Sequence, residues 1–304
     1  PAEFMAAVIS NQGGFYSTFA YVSEARRMGV TILPPDVNRS EVHWLGSGQG
    51  SRREIRVGLA AVAGTGSAVL TRIVEQRRLR PFATVFDFLG RVRPGEDEAE
   101  ALIHAGALDG LQPGAAANRG LLVWLLALWK KSGRAAAGLF PLAPTPPSLP
   151  PEDKRQRLRN EYRALGFLCN RHPITLFAEQ RRRAGALTAR QLLSLPAAAV
   201  QERRRFSFLG WLIAGKIVGT KKGDPMEFLS FEDETGLLEC TLFPKVYEQS
   251  CHLLAIRGPL LLEGSMDEDF GARTFTVEHV CSVRRSPVGA GATSSRTVGV
   301  LQQA

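Results

Sequence analysis

The 304-residue chain is poor in cysteine, and Cys169, Cys240, Cys251 and Cys281 fall in no CxxC or paired spacing. That excludes a disulfide framework and a cysteine-ligated zinc cluster, and five scattered histidines supply no substitute. Reduced thiols are the expectation. Long apolar runs are also missing: Gly120–Trp129 and Phe206–Gly215 fall far short of the ~20 residues a membrane helix needs. No secretory signal pattern opens the chain, so the expectation is a cytoplasmic protein with no membrane partner. The first residues, Pro1 to Ile9, read as the middle of a helix and lack an initiating Met, which suggests a fragment of a longer product.

A catalytic constellation is absent as well. Two-metal phosphoryl transfer needs two or three converging carboxylates, whereas Pro35-Asp36-Val37-Asn38 offers one acid. Glu232, Asp233 and Glu234 cluster between two strand-like runs and read as turn chemistry. There is no G-x-S-x-G or phosphate-loop motif. Catalytic and metal-ligating residues are therefore assigned to none.

What the chain has is positive charge: a net +9 and a pI near 9.8, with 44% hydrophobic residues to build cores. Residues 51–93 carry nine Arg against three acids, and residues 154–205 carry thirteen Lys and Arg against three, so the remainder is net acidic. Charge concentrated in this way suits a polyanionic partner, although a solvated Arg-rich surface gives the same pattern.

Periodicity divides the chain. Residues 1–50 read as two helices, with Phe4, Ala7 and Val8 and then Phe19, Val22 and Ala25 at helical spacing, followed by a short strand Thr31–Leu33 and a soft loop Gly46–Ser51. Residues 51–130 read as short helices with two glycine turns. Arg56–Ala63 leads into Gly64-Thr65-Gly66 and a helix from Ser67, with Ser67 as N-cap. Ala99–Ala105 leads into Gly106-Ala107-Leu108-Asp109 and a helix over Asn118–Lys130. Residues 131–205 hold a Pro-rich connector and a basic helical segment. Residues 206–285 switch to five strand-like runs with a helix near Lys245–Leu254 between the third and fourth, which is the OB-fold order. Residues 286–304 read as a disordered tail.

Gly64-Thr65-Gly66 between apolar helical segments suits a helix-hairpin-helix, whose turn aims amides at a phosphate. An ordinary helix–helix turn gives the same pattern. Arg52, Arg53, Arg56 and Arg72 are candidates to neutralise further phosphates. In the barrel, Lys216, Lys221 and Lys222 are candidates for a single-strand groove, while most of Phe208, Trp211, Phe228, Phe231 and Phe243 are expected to fill the core. Leu139 and Phe140, in an Ala/Gly context before the connector, suit a peptide that docks into a partner's apolar pocket.

Taken together, these segments resemble the C-terminal part of the bacterial DNA polymerase III alpha subunits, the C-family polymerases, in the replicative or error-prone branch. The resemblance rests on Arg26-Arg27-Met28-Gly29 with Leu33-Pro34-Pro35-Asp36-Val37-Asn38, on Gly58-Leu59-Ala60-Ala61-Val62 running into Gly64, on Ala105 to Asp109, on His172-Pro173, and on Thr220 to Gly223 with Leu229 to Gly236. It implies a multidomain α + β chain: the end of the fingers region, a helix-hairpin-helix region and a five-stranded OB barrel. It implies double- and single-stranded DNA as partners in a bacterial nucleoid, with no cofactor here, the family's Mg2+ belonging to palm aspartates upstream of residue 1. This chain alone would then be inactive. The family's sliding-clamp peptide begins with Gln and ends in Leu-Phe, so Leu139 and Phe140 would reach the clamp and other replisome subunits weakly, Ala136 replacing the Gln. Ala63 likewise stands where a Lys is common. Two rival expectations remain: a module that docks replication partners while its OB-fold touches no nucleic acid, and a small nuclease or ligase-like enzyme.

Overall fold

A computed structural model describes residues 1–11, 14–49, 52–112, 118–131, 149–150, 152–255 and 258–283. Most of the expected connector and the whole of the expected tail lie outside them.

Two helices, α1 (Ala2–Asn11) and α2 (Thr18–Arg27), open the chain as expected. The buried face of α1 is Ala2, Met5, Ala6 and Ile9, however, and Phe4 is 68% exposed. The packed stripe is therefore offset by one position from the expected one. Helix α1 lies on a strand at Gly46, where a Cβ would come within 2.4 Å of the Ala2 carbonyl oxygen, so the two backbones approach closely.

That strand corrects a second expectation. The stretch read as a soft loop is β2 (Leu45–Gln49), antiparallel to β3 (Arg52–Arg56), which in turn runs parallel to β1 (Thr31–Leu33). Glycines that suggested a loop serve close approach within a sheet. Strand β3 also replaces the start of the helix expected from Arg56, because Ile55 is fully buried and its neighbours alternate outward. Only a single 3-10 turn, Leu59–Ala61, precedes the first hairpin.

Helices α3 (Ser67–Leu79), α4 (Val85–Val92), α5 (Glu96–Ala105), α6 (Arg119–Lys131) and α7 (Lys154–Leu165) follow. The N-cap of α3 is Gly66, not Ser67, and no side chain caps it. One apolar core runs from Ala2 to Cys169 without a break at the sheet. A 3-10 turn (Pro173–Phe177) and three short helices, α8 (Ala178–Arg183), α9 (Ala189–Leu193) and α10 (Ala197–Gln201), lead to the barrel.

The five expected strands are present: β4 (Arg205–Gly219), β5 (Pro225–Glu232), β6 (Leu237–Leu242), β7 (Pro259–Asp269) and β8 (Ala272–Ser282), with α11 (Pro244–Leu254) between the third and fourth. They close in the order β4-β5-β6-β8-β7, with β6 parallel to β8 and the other pairs antiparallel. This is an OB-fold barrel. Its core has Phe208, Phe231, Leu242 and Phe275 at its centre, all fully buried. Phe208 and Leu212 turn into that core, so strand alternation turns Trp211 outward, where it joins the helical core against Phe19, Tyr162 and Phe177.

Candidate nucleic-acid interface

The first hairpin has the backbone that its sequence requires. Gly64 adopts φ +81°, a left-handed conformation that favours glycine, and Thr65 N–H closes the turn onto the Val62 carbonyl. Its amide face, though, is not open. Gly66 N–H donates to Glu98 Oε1 at 2.9 Å, and Gly95 N–H donates to Glu98 Oε2 at 2.8 Å, so one carboxylate joins the starts of α3 and α5. Glu96 and Asp97 share that first turn. Acids at a helix start stabilise the helix dipole, and Glu98 takes up the Gly66 amide that the expected phosphate contact would use. Glu98 carries no signal in the linear pattern beyond its place three residues after Gly95.

The arginines near this hairpin divide. Arg72 donates to the Val92 carbonyl at 2.8 Å and ties α3 to the end of α4. Arg77 is spent on the Ser40 carbonyl and Glu41, and Arg91 on Asp87 and the face of Phe82. Arg56 is half-buried, with Nη1 on the Pro34 carbonyl at 3.1 Å, and burial pulls its guanidinium below the ordinary value. Arg53 is exposed and makes no ion pair among the described residues. The Arg52 backbone lies in β3, and its side chain is outside the described atoms.

The second hairpin is a structural hub. Gly106 adopts φ +89°, and a Cβ there would strike Arg119 Nη2 at 2.2 Å. Buried Arg119 binds Asp109 at 3.0 Å and the His104 carbonyl at 2.6 Å, while Arg157 reaches the same Asp109 at 3.1 Å. Arg119 and Arg157, the second from the basic stretch 154–205, are thus neutralised by the protein itself and hold α6 and α7 to the hairpin.

The barrel presents the open cationic edge. Lys221 and Lys222 sit exposed at the tip of the β4–β5 turn, which Thr220 N–H and Gly223 N–H close by bonds to the Asp224 and Thr220 carbonyls. Lys216 is exposed on β4 directly opposite Phe228. None of the three lysines makes an ion pair among the described residues. Of the five candidate aromatics, Phe208, Trp211 and Phe231 are buried as expected, and Phe228 and Phe243 are about half exposed.

The acidic cluster after β5 is corrected in part. Asp233 does perform turn chemistry, accepting from Thr235 and Gly236, and it also caps α9 by accepting from Ala189 N–H at 3.0 Å. Glu232 does something else. Fully buried, it meets Arg27 Nη1 at 2.8 Å and His172 Nε2 at 3.1 Å. His172 Nδ1 accepts from Ile174 N–H, which places the ring proton on Nε2, facing the carboxylate. Burial alone would push the Glu232 carboxyl up, but the bonds from His172 and Arg27 outweigh it and hold the group below the usual carboxylate range.

Leu139 and Phe140, the expected clamp peptide, lie outside the described residues. Among the described residues no group of three or more His, Cys, Asp or Glu could hold a metal ion, and no helix is long and apolar enough to cross a membrane.

Residues 29–118 match the helix-hairpin-helix motif family. Over 279 residues, 85% of the chain, the sequence is 33% identical to an error-prone DNA polymerase of Burkholderia pseudomallei. Over 278 residues, 88% of the chain, it is 31% identical to the DNA polymerase III subunit alpha of Thermus aquaticus. The chain covers 24% and 22% of those two proteins, about a quarter of their length. Among solved structures, the second OB-fold domain of replication protein A from Methanococcus maripaludis covers 28% of this chain and 88% of its own, at 16% identity and a TM-score of 0.22.

Proposed function

Because the chain belongs to the family of error-prone DNA polymerases and DNA polymerase III alpha subunits, we propose that it is the DNA-binding C-terminal part of such a polymerase. In this reading the helix-hairpin-helix region holds duplex DNA and the OB barrel guides the single-stranded template, while nucleotide addition belongs to palm carboxylates outside this chain. The observation that carries it is the open edge of the barrel: Lys216, Lys221 and Lys222 stand exposed with no ion pair among the described residues, while most arginines of the hairpin region are engaged within the protein.

Cations that neutralise phosphates release counterions, so binding is independent of sequence and falls steeply with salt. A fluorescence anisotropy titration of single-stranded and duplex oligonucleotides between 50 and ~200 mM salt tests this. Micromolar or tighter binding with a steep negative salt slope is the expected result. Salt-insensitive binding, or none at the lowest salt, overturns it. The same reading has Leu139 and Phe140 contact a sliding clamp, tested by whether Leu139→Ala with Phe140→Ala abolishes clamp pull-down.

A further inference from the structure

Helix α7 carries a row of arginines that the fold does not neutralise. Its buried side is Glu161, Ala164 and Leu165. Arg155, Arg159 and Arg163 recur every four residues on the opposite side, a stripe of about 12 Å at a rise of ~1.5 Å per residue. Arg155 and Arg163 are exposed and Arg159 is half-buried. None of the three makes an ion pair among the described residues, and the contact of Arg163 is with the neutral Asn160 side chain, at 3.4 Å. Other cations of the stretch 154–205 differ. Arg157 turns to Glu152 and Asp109, and Arg203, Arg204 and Arg205 each meet a carboxylate. Asp153, the N-cap of α7, is engaged by the Arg155 amide at 2.9 Å.

Both hairpins hold this helix in place. Arg157 reaches Asp109 of the second at 3.1 Å, and the Ala63 N–H of the first donates to the Ala164 carbonyl at 2.8 Å. The C-terminal end of the row therefore adjoins the first hairpin, where Ala63 carries no charge and Glu98 takes the Gly66 amide.

We propose that Arg155, Arg159 and Arg163 hold the phosphate backbone of duplex DNA, α7 supplying the charge that the neighbouring hairpin turn lacks. This rests on the DNA-binding reading above and names the residues that carry its duplex contact. The chemistry of the face selects the occupant. Gln156 and Asn160 flank the row, and no large apolar residue of α7 is exposed, whereas a protein partner needs an apolar centre to its contact. Single strands are held by rings that stack on their bases, but the one ring of α7, Tyr162, packs against Trp211. A polyanion met through its phosphates is what fits. One strand of a duplex advances about 3.4 Å per phosphate, so 12 Å of helix is length enough for three contacts.

The test is fluorescence anisotropy of a short blunt duplex and of oligo(dT) against the whole chain, as a function of salt. Parent protein is compared with the triple variant Arg155→Ala, Arg159→Ala and Arg163→Ala, and with the same three positions changed to Lys. Alanine is the better helix former, so α7 is retained. The Ala triple is expected to lower the magnitude of the duplex salt slope by about 2.7, the value for three phosphate contacts, and to weaken duplex binding roughly a hundredfold near ~0.1 M salt. Its oligo(dT) affinity stays as in the parent. The Lys triple retains the parent slope, which ties the loss to charge and not to folding. Arg159→Gln alone lowers the slope by about 0.9 and checks the assignment with the smallest change. An unchanged duplex slope, or equal losses on duplex and oligo(dT), overturns the proposal, as does a parent that binds oligo(dT) and no duplex. A parent that binds neither ligand removes the DNA-binding reading itself.

Discussion

Arg27 and Glu232 are 205 positions apart in sequence and meet at 2.8 Å, joining the second helix of the chain to the second strand of the barrel. His172 closes the contact from a third element at 3.1 Å. The pair orients the barrel, since Glu232 shares the outer face of β5 with Phe228 four residues earlier, about 13 Å away along the strand.

Replacing Glu232 with Gln leaves Arg27 and His172 facing a neutral amide in a buried site. The expected loss is about 3 kcal/mol of stability, read by urea unfolding. Its pH dependence follows from a carboxyl held below its ordinary value. Such a group contributes fully above the unfolded value of ~4.3, and the contribution disappears as pH falls through the lower folded value. The stability difference between parent and Glu232→Gln is therefore flat near neutrality and shrinks below about pH 4. A difference that grows on acidification contradicts the ion-pair account.

Trp211 belongs to a barrel strand by sequence and to the helical core by packing. Trp211→Ala is expected to cost about 3–5 kcal/mol and to turn one thermal transition into two, as the barrel uncouples from the helices. Calorimetry checks both. A single transition with a small shift shows that the two cores do not depend on this ring.

Glu98 accepts from the amides of Gly66 and Gly95, and the first of these is the amide that the expected hairpin contact would offer to a phosphate. Glu98→Gln removes the charge and retains one acceptor. Duplex affinity is expected to rise about fivefold at low salt, the effect of ~1 kcal/mol at a helix start, with single-strand affinity unchanged. Unchanged or weaker duplex binding shows that Glu98 serves only to join the two helices.

Lys221→Ala with Lys222→Ala is expected to lower the magnitude of the single-strand salt slope by about 1.4, the value for two phosphate contacts. Arg72→Ala serves as the contrast. Its guanidinium is engaged by the Val92 carbonyl, so stability falls by about 1 kcal/mol while the salt slope stays as it was. Plots of log affinity against log salt separate the two cases.

Much of this architecture is legible in the linear pattern. Alternation and turn residues locate all five barrel strands and α11, and Gly64 and Gly106 mark turns whose positive φ favours glycine. Failures cluster where one residue type serves two purposes. Gly46 and Gly48 resemble loop residues yet lie in a strand, because α1 packs on their backbone. Phe4, the largest apolar residue of α1, is outside because the stripe that packs is Ala2, Met5, Ala6 and Ile9, one position away from the stripe of Phe4, Ala7 and Val8.

By itself the sequence determined the order of elements, the concentration of positive charge and the family, since these depend on local spacing and composition. Tertiary structure decided which charges are free and which rings are open. Arg72, Arg77 and Arg119 are as basic in sequence as Lys221, but each is consumed by a carbonyl or carboxylate distant in the chain. Phe228 and Phe231 differ by three positions, so strand alternation turns one to solvent and the other into the core. Charge pairing and burial are made by contacts across long sequence separations, and no local pattern records which partner will arrive.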